Sequence, residues 1–317
     1  MKKNKYRVIT LAILFGIATV IIHIINKIIA ASAIFKDMLR VSEKNYFNWR
    51  FGDIYYTKSG SGTPILLIHD LVPGGSSYEW ERIEKNLSMK HTVYSVDLLG
   101  CGRSDKPSIT YTNFIYVQMI TDFVKNVIGE KTDVIACGLS SSFAIMACHN
   151  EKEIFNKLML VNPPSFHSLN QTPTKRRKLL KFMIEFPVFG TLIYNMMTCE
   201  SSINNLFIEK YYYNPFHMDS DVLDAYYEAA HRNGNSAKFL YASLISKYVN
   251  INIIHGLKSI DNSIFIVEGE EEPTGKSIID SYASANPAIE SAIIKRSKHL
   301  PHIENPEGFL EQVGIFF

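Results

Sequence analysis

The chain has 317 residues, 46% of them hydrophobic, and a formal net charge of +2. This length suits one compact domain with an insertion, and the small net charge argues against nucleic-acid binding, because contact with phosphates needs a strong basic surplus. The four cysteines match no metal-binding spacing and are too few for a disulfide scaffold. Composition therefore indicates a globular protein that acts on something other than nucleic acid.

The first feature in chain order is an apolar segment near the N-terminus. Residues 8–25 are almost entirely apolar and follow a basic cluster within residues 1–7. Eighteen helical residues span about 27 Å, close to the hydrocarbon thickness of a bilayer. We expect residues 8–29 to form a transmembrane signal-anchor helix and residues 1–7 a cytoplasmic stub, because positive charge stays inside. The lipid bilayer of the cell membrane is then a predicted partner, and the rest of the chain is extracytoplasmic.

A cleaved signal peptide is the main alternative for this segment. Ala31, Ser32 and Ala33 resemble a small-residue cleavage site. The apolar run is longer than a usual signal-peptide core, however, and His23, Asn26 and Lys27 interrupt the approach to that site. An uncleaved anchor is therefore favoured, and a buried helix of a soluble protein is the third interpretation.

Residues 45–317 alternate strand-like and helix-like patterns. Predicted strands cover residues 46–51, 54–58, 64–69, 92–97, 133–137, 158–161, 264–267 and 291–295. Predicted helices cover residues 78–87, 116–128, 141–149 and 306–316. This alternation predicts an α/β domain with helices on both faces of a mostly parallel sheet. Residues 165–260 interrupt it with a mostly helical, aromatic-rich pattern, which predicts a helical lid inserted between two strands of the sheet.

One serine stands at a predicted junction of strand, turn and helix. Residues 134–144 read VIACGLSSSFA and resemble the nucleophile elbow Gly-x-Ser-x-Gly of the α/β-hydrolase family. Gly138 matches the first glycine, Ser140 the nucleophile, and Ser142 replaces the second glycine. In this motif a sharp turn lifts the hydroxyl above the sheet edge, and the flanking small residues let strand and helix approach closely. A serine-rich helix cap is the structural alternative.

An upstream segment is similar to another part of the same family. Residues 65–71 read ILLIHDL and resemble the strand that ends in His-Gly-x, with Asp70 in place of the glycine. The resemblance implies that the backbone N–H groups of Leu71 and Ser141 form an oxyanion hole. Beside a site that must hold negative charge, the Asp70 carboxylate would point away, be protonated or weaken the hole. His69 is interpreted as a structural histidine.

Two downstream segments complete the resemblance in the order that this family requires. Residues 265–273 end in Gly-Glu-Glu-Glu-Pro, similar to the family's Gly-x-x-Asp-Pro, which implies Glu272 as the acid, with Glu270 and Glu271 as near alternatives. Further along, His299 stands where the family carries its general base, before Leu-Pro-His-Ile-Glu-Asn-Pro-Glu. The order serine, acid, histidine is that of the α/β-hydrolase fold.

The resemblance implies an α/β-hydrolase fold and a serine hydrolase that acts on an ester, thioester or amide of a lipophilic small molecule. Ser140 would attack the carbonyl, His299 would accept its proton and Glu272 would orient the imidazole, with no metal or organic cofactor. An aspartate at the elbow would instead have implied dehalogenase or epoxide chemistry. A catalytically silent binding protein and an acyltransferase using the same serine are the alternatives.

Overall fold

A computed structural model describes residues 2–41 and 45–317 of the chain. Its sheet comprises β1 (Tyr46–Trp49), β2 (Gly52–Gly60), β3 (Thr63–Ile68), β4 (His91–Val96), β5 (Thr132–Cys137), β6 (Phe155–Val161), β7 (Ile264–Gly269) and β8 (Glu290–Ile294). The spatial order is β1-β2-β4-β3-β5-β6-β7-β8. Strand β2 pairs antiparallel with β1 and β4, and all other neighbours are parallel. The predicted, mostly parallel sheet is therefore confirmed.

Helices precede, connect and cover these strands. They are α1 (Lys2–Ala33), α2 (Glu81–Leu87), α3 (Asn113–Phe123), α4 (Ser140–Asn150), α5 (Phe166–Leu169), α6 (Lys175–Glu185), α7 (Phe189–Met197), α8 (Glu200–Leu206), α9 (Ser220–His231), α10 (Lys238–Ile245), α11 (Ile254–Ser259), α12 (Gly275–Ala285), α13 (Pro301–Glu304) and α14 (Pro306–Phe316). Helices α5 to α11 lie between β6 and β7 in the chain, where the sequence predicts the lid, and this segment is called the lid below.

Strand β3 illustrates how the apolar runs build the core. Ile65 and Leu67 point into one hydrophobic cluster, shared with α2 and α14, whereas Leu66 and Ile68 point into another, shared with α3 and α4. All four side chains are fully buried. A continuous apolar run is required because a parallel strand covered on both faces buries every side chain.

The first hairpin differs from its prediction. The sequence places the turn at Gly52-Asp53, but Gly52 is already paired with Trp49 as the first residue of β2. The connecting residues are Arg50 and Phe51, so the turn lies two residues earlier than predicted: β1 ends at Trp49, and β2 begins at Gly52. Two-residue loops are the commonest hairpin connections because their twist matches that of the strands.

Helix α1 is exposed along its apolar length. Tyr6–Ala33 has a mean hydropathy of 2.7 in its most apolar part, and none of that part is buried in the protein. Its 28 residues span about 42 Å, longer than the roughly 30 Å hydrocarbon core of a bilayer. Within residues 2–41 and 45–317, it is the one unbroken helix that meets both requirements. The same length and composition also fit a signal sequence.

Candidate active site

A cleft of about 390 Å³ opens at the carboxyl edge of the parallel strands. Asp70 follows β3, Gly138 follows β5, and the end of β7 carries Glu268. Because parallel strands present their carboxyl ends at one edge, residues far apart in the chain meet there. Glu272 and His299 complete the group of polar residues that line this cleft.

The turn after β5 has a glycine at its apex. The strand ends at Cys137, Gly138 has a φ of +53°, and α4 begins at Ser140. Leu139 between them already has helical dihedral angles. The sharp change of direction therefore occurs at Gly138, in the left-handed region that favours glycine. The residue at the apex has no side chain to present to the cleft.

Ser140, the predicted nucleophile, lies two residues past this apex. Its side chain is fully buried, and its Oγ donates a hydrogen bond of 2.6 Å to the backbone oxygen of His69. The structure therefore does not bring the Ser140 hydroxyl to the His299 imidazole. The physical reason is that β5 extends as far as Cys137, which pairs with Val161, so that Ser140 becomes the first residue of the helix and faces the end of β3.

We expect Ser140→Ala to lower the stability of the protein but to leave its catalytic turnover unchanged. The substitution leaves the buried oxygen of His69 without this donor, which costs about 1–3 kcal/mol in the free energy of unfolding. Urea unfolding and steady-state turnover of the same preparation measure both effects. A loss of turnover with unchanged stability would return the role of nucleophile to Ser140.

The Asp70 carboxylate occupies the space in front of the apex. A Cβ atom at Gly138 would lie only 2.2 Å from Asp70 Oδ1, so the carboxylate stands where a side chain at the apex would point. Asp70 Oδ1 accepts a 2.8 Å hydrogen bond from the backbone N–H of Leu139. The carboxylate thus points into the cleft, which excludes the alternative that it points away from the site.

The oxyanion donors also differ from the prediction. The Ser141 N–H donates to the Gly138 backbone oxygen at 3.1 Å, as part of the first turn of α4. Leu139, which directly follows the apex, offers its N–H to the cleft instead. Leu71, the other predicted donor, lies in the wall of the cleft. The oxyanion donor moves from Ser141 to Leu139 for the same reason that the apex of the turn moves from Ser140 to Gly138, because β5 extends as far as Cys137.

The His299 imidazole lies between two carboxylates. Its Nε2 is 3.4 Å from Asp70 Oδ2, and its Nδ1 is 3.8 Å from Glu272 Oε2. The ring stacks on the lid residue Tyr211, with ring centroids 4.8 Å apart. Burial disfavours the imidazolium, but the contact with Asp70 and the negative charges of Asp70 and Glu272 outweigh it and raise the pKa of His299 to about 10. The imidazole is therefore protonated at neutral pH.

Glu272 and an unpredicted neighbour, Glu268, supply acidic groups beside His299. Glu270 and Glu271 are exposed, and Glu270 accepts a hydrogen bond from the Arg296 backbone N–H. Glu268 is fully buried, and neither of its carboxyl oxygens has a hydrogen-bond partner within residues 2–41 and 45–317. Burial and the charge of Glu272 raise the pKa of Glu268 to about 8, so it is mainly neutral at pH 7. The sequence feature that could have indicated Glu268 as a site residue is its position as a glutamate at the end of an apolar strand.

Buried polar groups behind the cleft hold the backbone of Asp70. His69 Nδ1 contacts the Asp70 backbone oxygen at 2.7 Å, and His69 Nε2 accepts from the Leu98 N–H, in agreement with a structural role. Glu79 Oε2 accepts from the Asp70 N–H at 3.3 Å. These contacts fix the direction in which Asp70 leaves β3.

A possible metal-binding group lies in the same buried region. Glu79, Cys137 and His302 each place one potential ligand atom within 4.8 Å of the others. Glu79 Oε1 is 3.3 Å from His302 Nε2, and Glu79 Oε2 also accepts from Tyr226. We therefore interpret this group as a buried polar cluster that supports Asp70.

Comparisons with known proteins place these observations in a family. The model of the alpha/beta hydrolase family matches residues 65–312. Three uncharacterised mycobacterial proteins, from Mycobacterium bovis and Mycobacterium tuberculosis, are 31% identical over 104 residues, which cover 33% of this chain. The match spans only 30% of their length.

Matches of lower identity are to proteins that are named for different activities. A proline iminopeptidase of Heyndrickxia coagulans is 21% identical over 82% of this chain and 92% of its own length. A soluble epoxide hydrolase of a Corynebacterium species is 26% identical over 34% of this chain and 37% of its own length. The crystal structure of a carboxylesterase from Bacillus subtilis superposes with a TM-score of 0.67 at 16% identity, over 93% of this chain and 98% of the esterase.

The family match extends from β3 to α14. The structural match supports the fold alone, because identity is low. The chain belongs to the alpha/beta hydrolase family.

Proposed function

We propose that this protein is a hydrolase whose nucleophile is the carboxylate of Asp70 rather than a serine. One observation carries the proposal: Asp70 Oδ1 is held by the Leu139 N–H, while Oδ2 faces His299 Nε2. His299 in turn faces Glu272 through Nδ1. Asp70, His299 and Glu272 thus supply a nucleophile, a histidine and an acid without Ser140, because carboxylates also serve as covalent nucleophiles.

The first step is displacement at a saturated carbon. Asp70 Oδ2 attacks an epoxide carbon, a new C–O bond forms, and the ring C–O bond breaks. The alkoxide takes the proton of the His299 imidazolium, which leaves a hydroxyalkyl ester of Asp70 and a neutral imidazole. Because the ester carries no charge, the pKa of His299 falls once it forms, and His299 becomes available as a base.

The second step is hydrolysis of that ester. Neutral His299 takes a proton from water, and the hydroxide adds to Asp70 Cγ. The negative charge develops on Oδ1, which the Leu139 N–H already contacts. Collapse releases the diol, which leaves with the proton from His299, and the new carboxyl group of Asp70 returns its own proton to the imidazole. Epoxide and water thus give a diol, and the site regains its initial charges.

The choice of an epoxide follows from the nucleophile and the acid. A carboxylate that attacks an ester carbonyl must expel an alkoxide, a far stronger base, so the tetrahedral adduct would return to reactants. An epoxide releases ring strain instead, and its leaving oxygen needs the proton that His299 holds. A distant relative is named a soluble epoxide hydrolase. The neighbouring apolar compartment of about 490 Å³, with walls that include Leu139 and Leu206, suits a lipophilic substituent.

A catalytically silent ligand-binding protein is the second candidate. It is favoured by the missing side chain at Gly138 and by the ion pair that ties Asp70 to His299. In that case the ion pair is structural, and Asp70→Asn would leave ligand affinity unchanged.

We further propose that α1 anchors the protein in the cell membrane, with the hydrolase domain extracytoplasmic. The exposed apolar surface of α1 and the basic residues before it support this arrangement. The anchor brings the cleft close to a source of lipophilic substrates.

A single turnover in H₂¹⁸O tests the proposed nucleophile. With enzyme in excess over styrene oxide, we expect the first diol to contain no heavy oxygen and the Asp70 peptide to gain it. The reason is that water attacks Asp70 Cγ and leaves its oxygen in the carboxylate. Mass spectrometry of the diol and of the digested protein gives both results.

Several outcomes would contradict the proposal. Heavy oxygen in the first diol, with none on Asp70, indicates direct attack by water. Fluorophosphonate labelling that Ser140→Ala abolishes restores the serine mechanism. Binding of styrene oxide or 1,2-epoxyoctane without any turnover favours the second candidate.

A further inference from the structure

Helix α1 is attached to the lid near its C-terminal end. The side chain of Asn26 is buried, and its Nδ2 donates to the Val188 backbone oxygen at 3.0 Å. Asn26 Oδ1 accepts from Asn195 Nδ2 at 2.9 Å, and the Asn26 backbone oxygen accepts from Asn235 at 3.3 Å. A polar cluster of this kind fixes the position of α1 relative to the lid.

A second contact between α1 and the lid lies nearer the N-terminus of α1, within its apolar segment. The rings of Phe15 and Phe189 stack with centroids 5.5 Å apart. Phe15 and Asn26 are separated by about 16 Å along the helix axis. Because Asn26 contacts both Val188 and Asn195, α7 packs against α1 at the level of Asn26, and the ring of Phe189 extends from there to Phe15. A bilayer that surrounds the apolar segment of α1 must also surround the start of α7.

Helix α6 presents an apolar stripe on the same part of the lid. Leu179, Phe182, Met183 and Phe186 recur at helical spacing and are exposed, Phe182 by 62%. Met196 and Met197 at the end of α7 are also exposed. So many large apolar side chains on two adjoining helices form a patch of the kind that marks an interaction surface.

The bend between α6 and α7 lies against α1. The two helices meet at 104°, and at the bend Val188 contacts Asn26 while Phe189 stacks on Phe15. Helix α6 has 11 residues and leads away from this bend over about 16 Å. Its first turn, at the end away from the bend, carries the exposed residues Lys175, Arg176 and Lys178, which suit contact with anionic headgroups.

We propose that α6 and α7 form a re-entrant hairpin that inserts into the outer half of the bilayer crossed by α1. The occupant of the apolar patch is then the acyl-chain region of that bilayer, and the basic first turn of α6 contacts anionic headgroups. Met197 belongs both to this patch and to the wall of the apolar compartment beside the cleft. Lipophilic ligands therefore enter from the membrane rather than from water. The inference depends on α1 as an anchor, but not on the chemistry of Asp70.

The full-length chain in vesicles of phosphatidylcholine and phosphatidylglycerol tests this arrangement. An environment-sensitive fluorophore is attached in turn to Phe182→Cys in the hairpin, Leu14→Cys in α1 and Ile293→Cys on β8. Cys199→Ser is the common background, because the other three cysteines are buried. We expect spin-labelled lipids to quench the fluorophore at 182 and at 14, and aqueous iodide to quench only the one at 293.

The three positions separate the possible failures. Quenching by lipid at 14 but by iodide at 182 overturns the inserted hairpin and leaves the anchor intact. Quenching by iodide at all three positions overturns the anchor as well. Turnover of styrene oxide, measured on the same vesicles, reports on the Asp70 chemistry separately.

Discussion

Replacing Asp70 with asparagine is expected to lower the turnover of styrene oxide by at least about 10⁴-fold, as removal of a covalent nucleophile does in other enzymes. The amide keeps the shape of the carboxylate and can still accept the Leu139 hydrogen bond. It lacks the charge that attacks carbon. Steady-state turnover, compared with Ser140→Ala as the matched control two residues past the apex, measures the effect.

The same variant changes the titration of His299. Asp70 is one of the two carboxylates that raise the pKa of His299 to about 10, so Asp70→Asn should lower this pKa. A raised pKa means that the folded protein binds the proton more tightly than the unfolded chain. The associated stability is present at neutral pH and is lost as the pH rises through about 10. NMR of the imidazole gives the titration directly.

An unchanged His299 titration would contradict the ion pair itself. Turnover within a few fold of the parent protein would contradict the role of Asp70, whatever the titration shows. Asp70→Ala serves as a second variant, because an asparagine in the site can convert back to aspartate by hydrolysis.

The fold was predictable because its signals are local and repeated. Runs such as residues 64–69 bury every side chain, which only a covered parallel strand requires. The terminal helix has the predicted bounds, since Asn305 caps its first turn by accepting from the Gly308 N–H, and proline follows at its first position. Neither feature depends on distant parts of the chain.

The identity of the residue at the elbow was not predictable in the same way. Gly138 fits two positions of the elbow motif: the small residue two positions before the nucleophile, and the nucleophile position at the apex of the turn. The two alignments of the motif differ by two residues. What separates them is the point where β5 ends, which is fixed by pairing of Cys137 with Val161 on the neighbouring strand. Asp70 was visible in the sequence as an unusual replacement, but its direction depends on Leu139 and Glu79.

Moving a serine to the apex while removing Asp70 is expected to create a serine nucleophile. In Gly138→Ser alone, the new Cβ would lie 2.2 Å from Asp70 Oδ1. We expect this variant to lose about 1–3 kcal/mol of stability through overpacking and backbone strain, and to be unreactive. Adding Asp70→Gly removes the collision and leaves the Leu139 N–H free to stabilise an oxyanion.

The double variant should therefore react with a fluorophosphonate probe, whereas the parent protein and Gly138→Ser should not. Intact-mass analysis after labelling, with thermal unfolding of each variant, measures both expectations. Adding Ser140→Ala to the double variant is the matched control, and labelling should persist because Ser140 Oγ is committed to His69. Labelling of the parent at Ser140, or its loss from the triple variant, would show that the chain positions its reactive hydroxyl in α4. A folded but unreactive double variant would show that the apex of this turn no longer directs a side chain at His299.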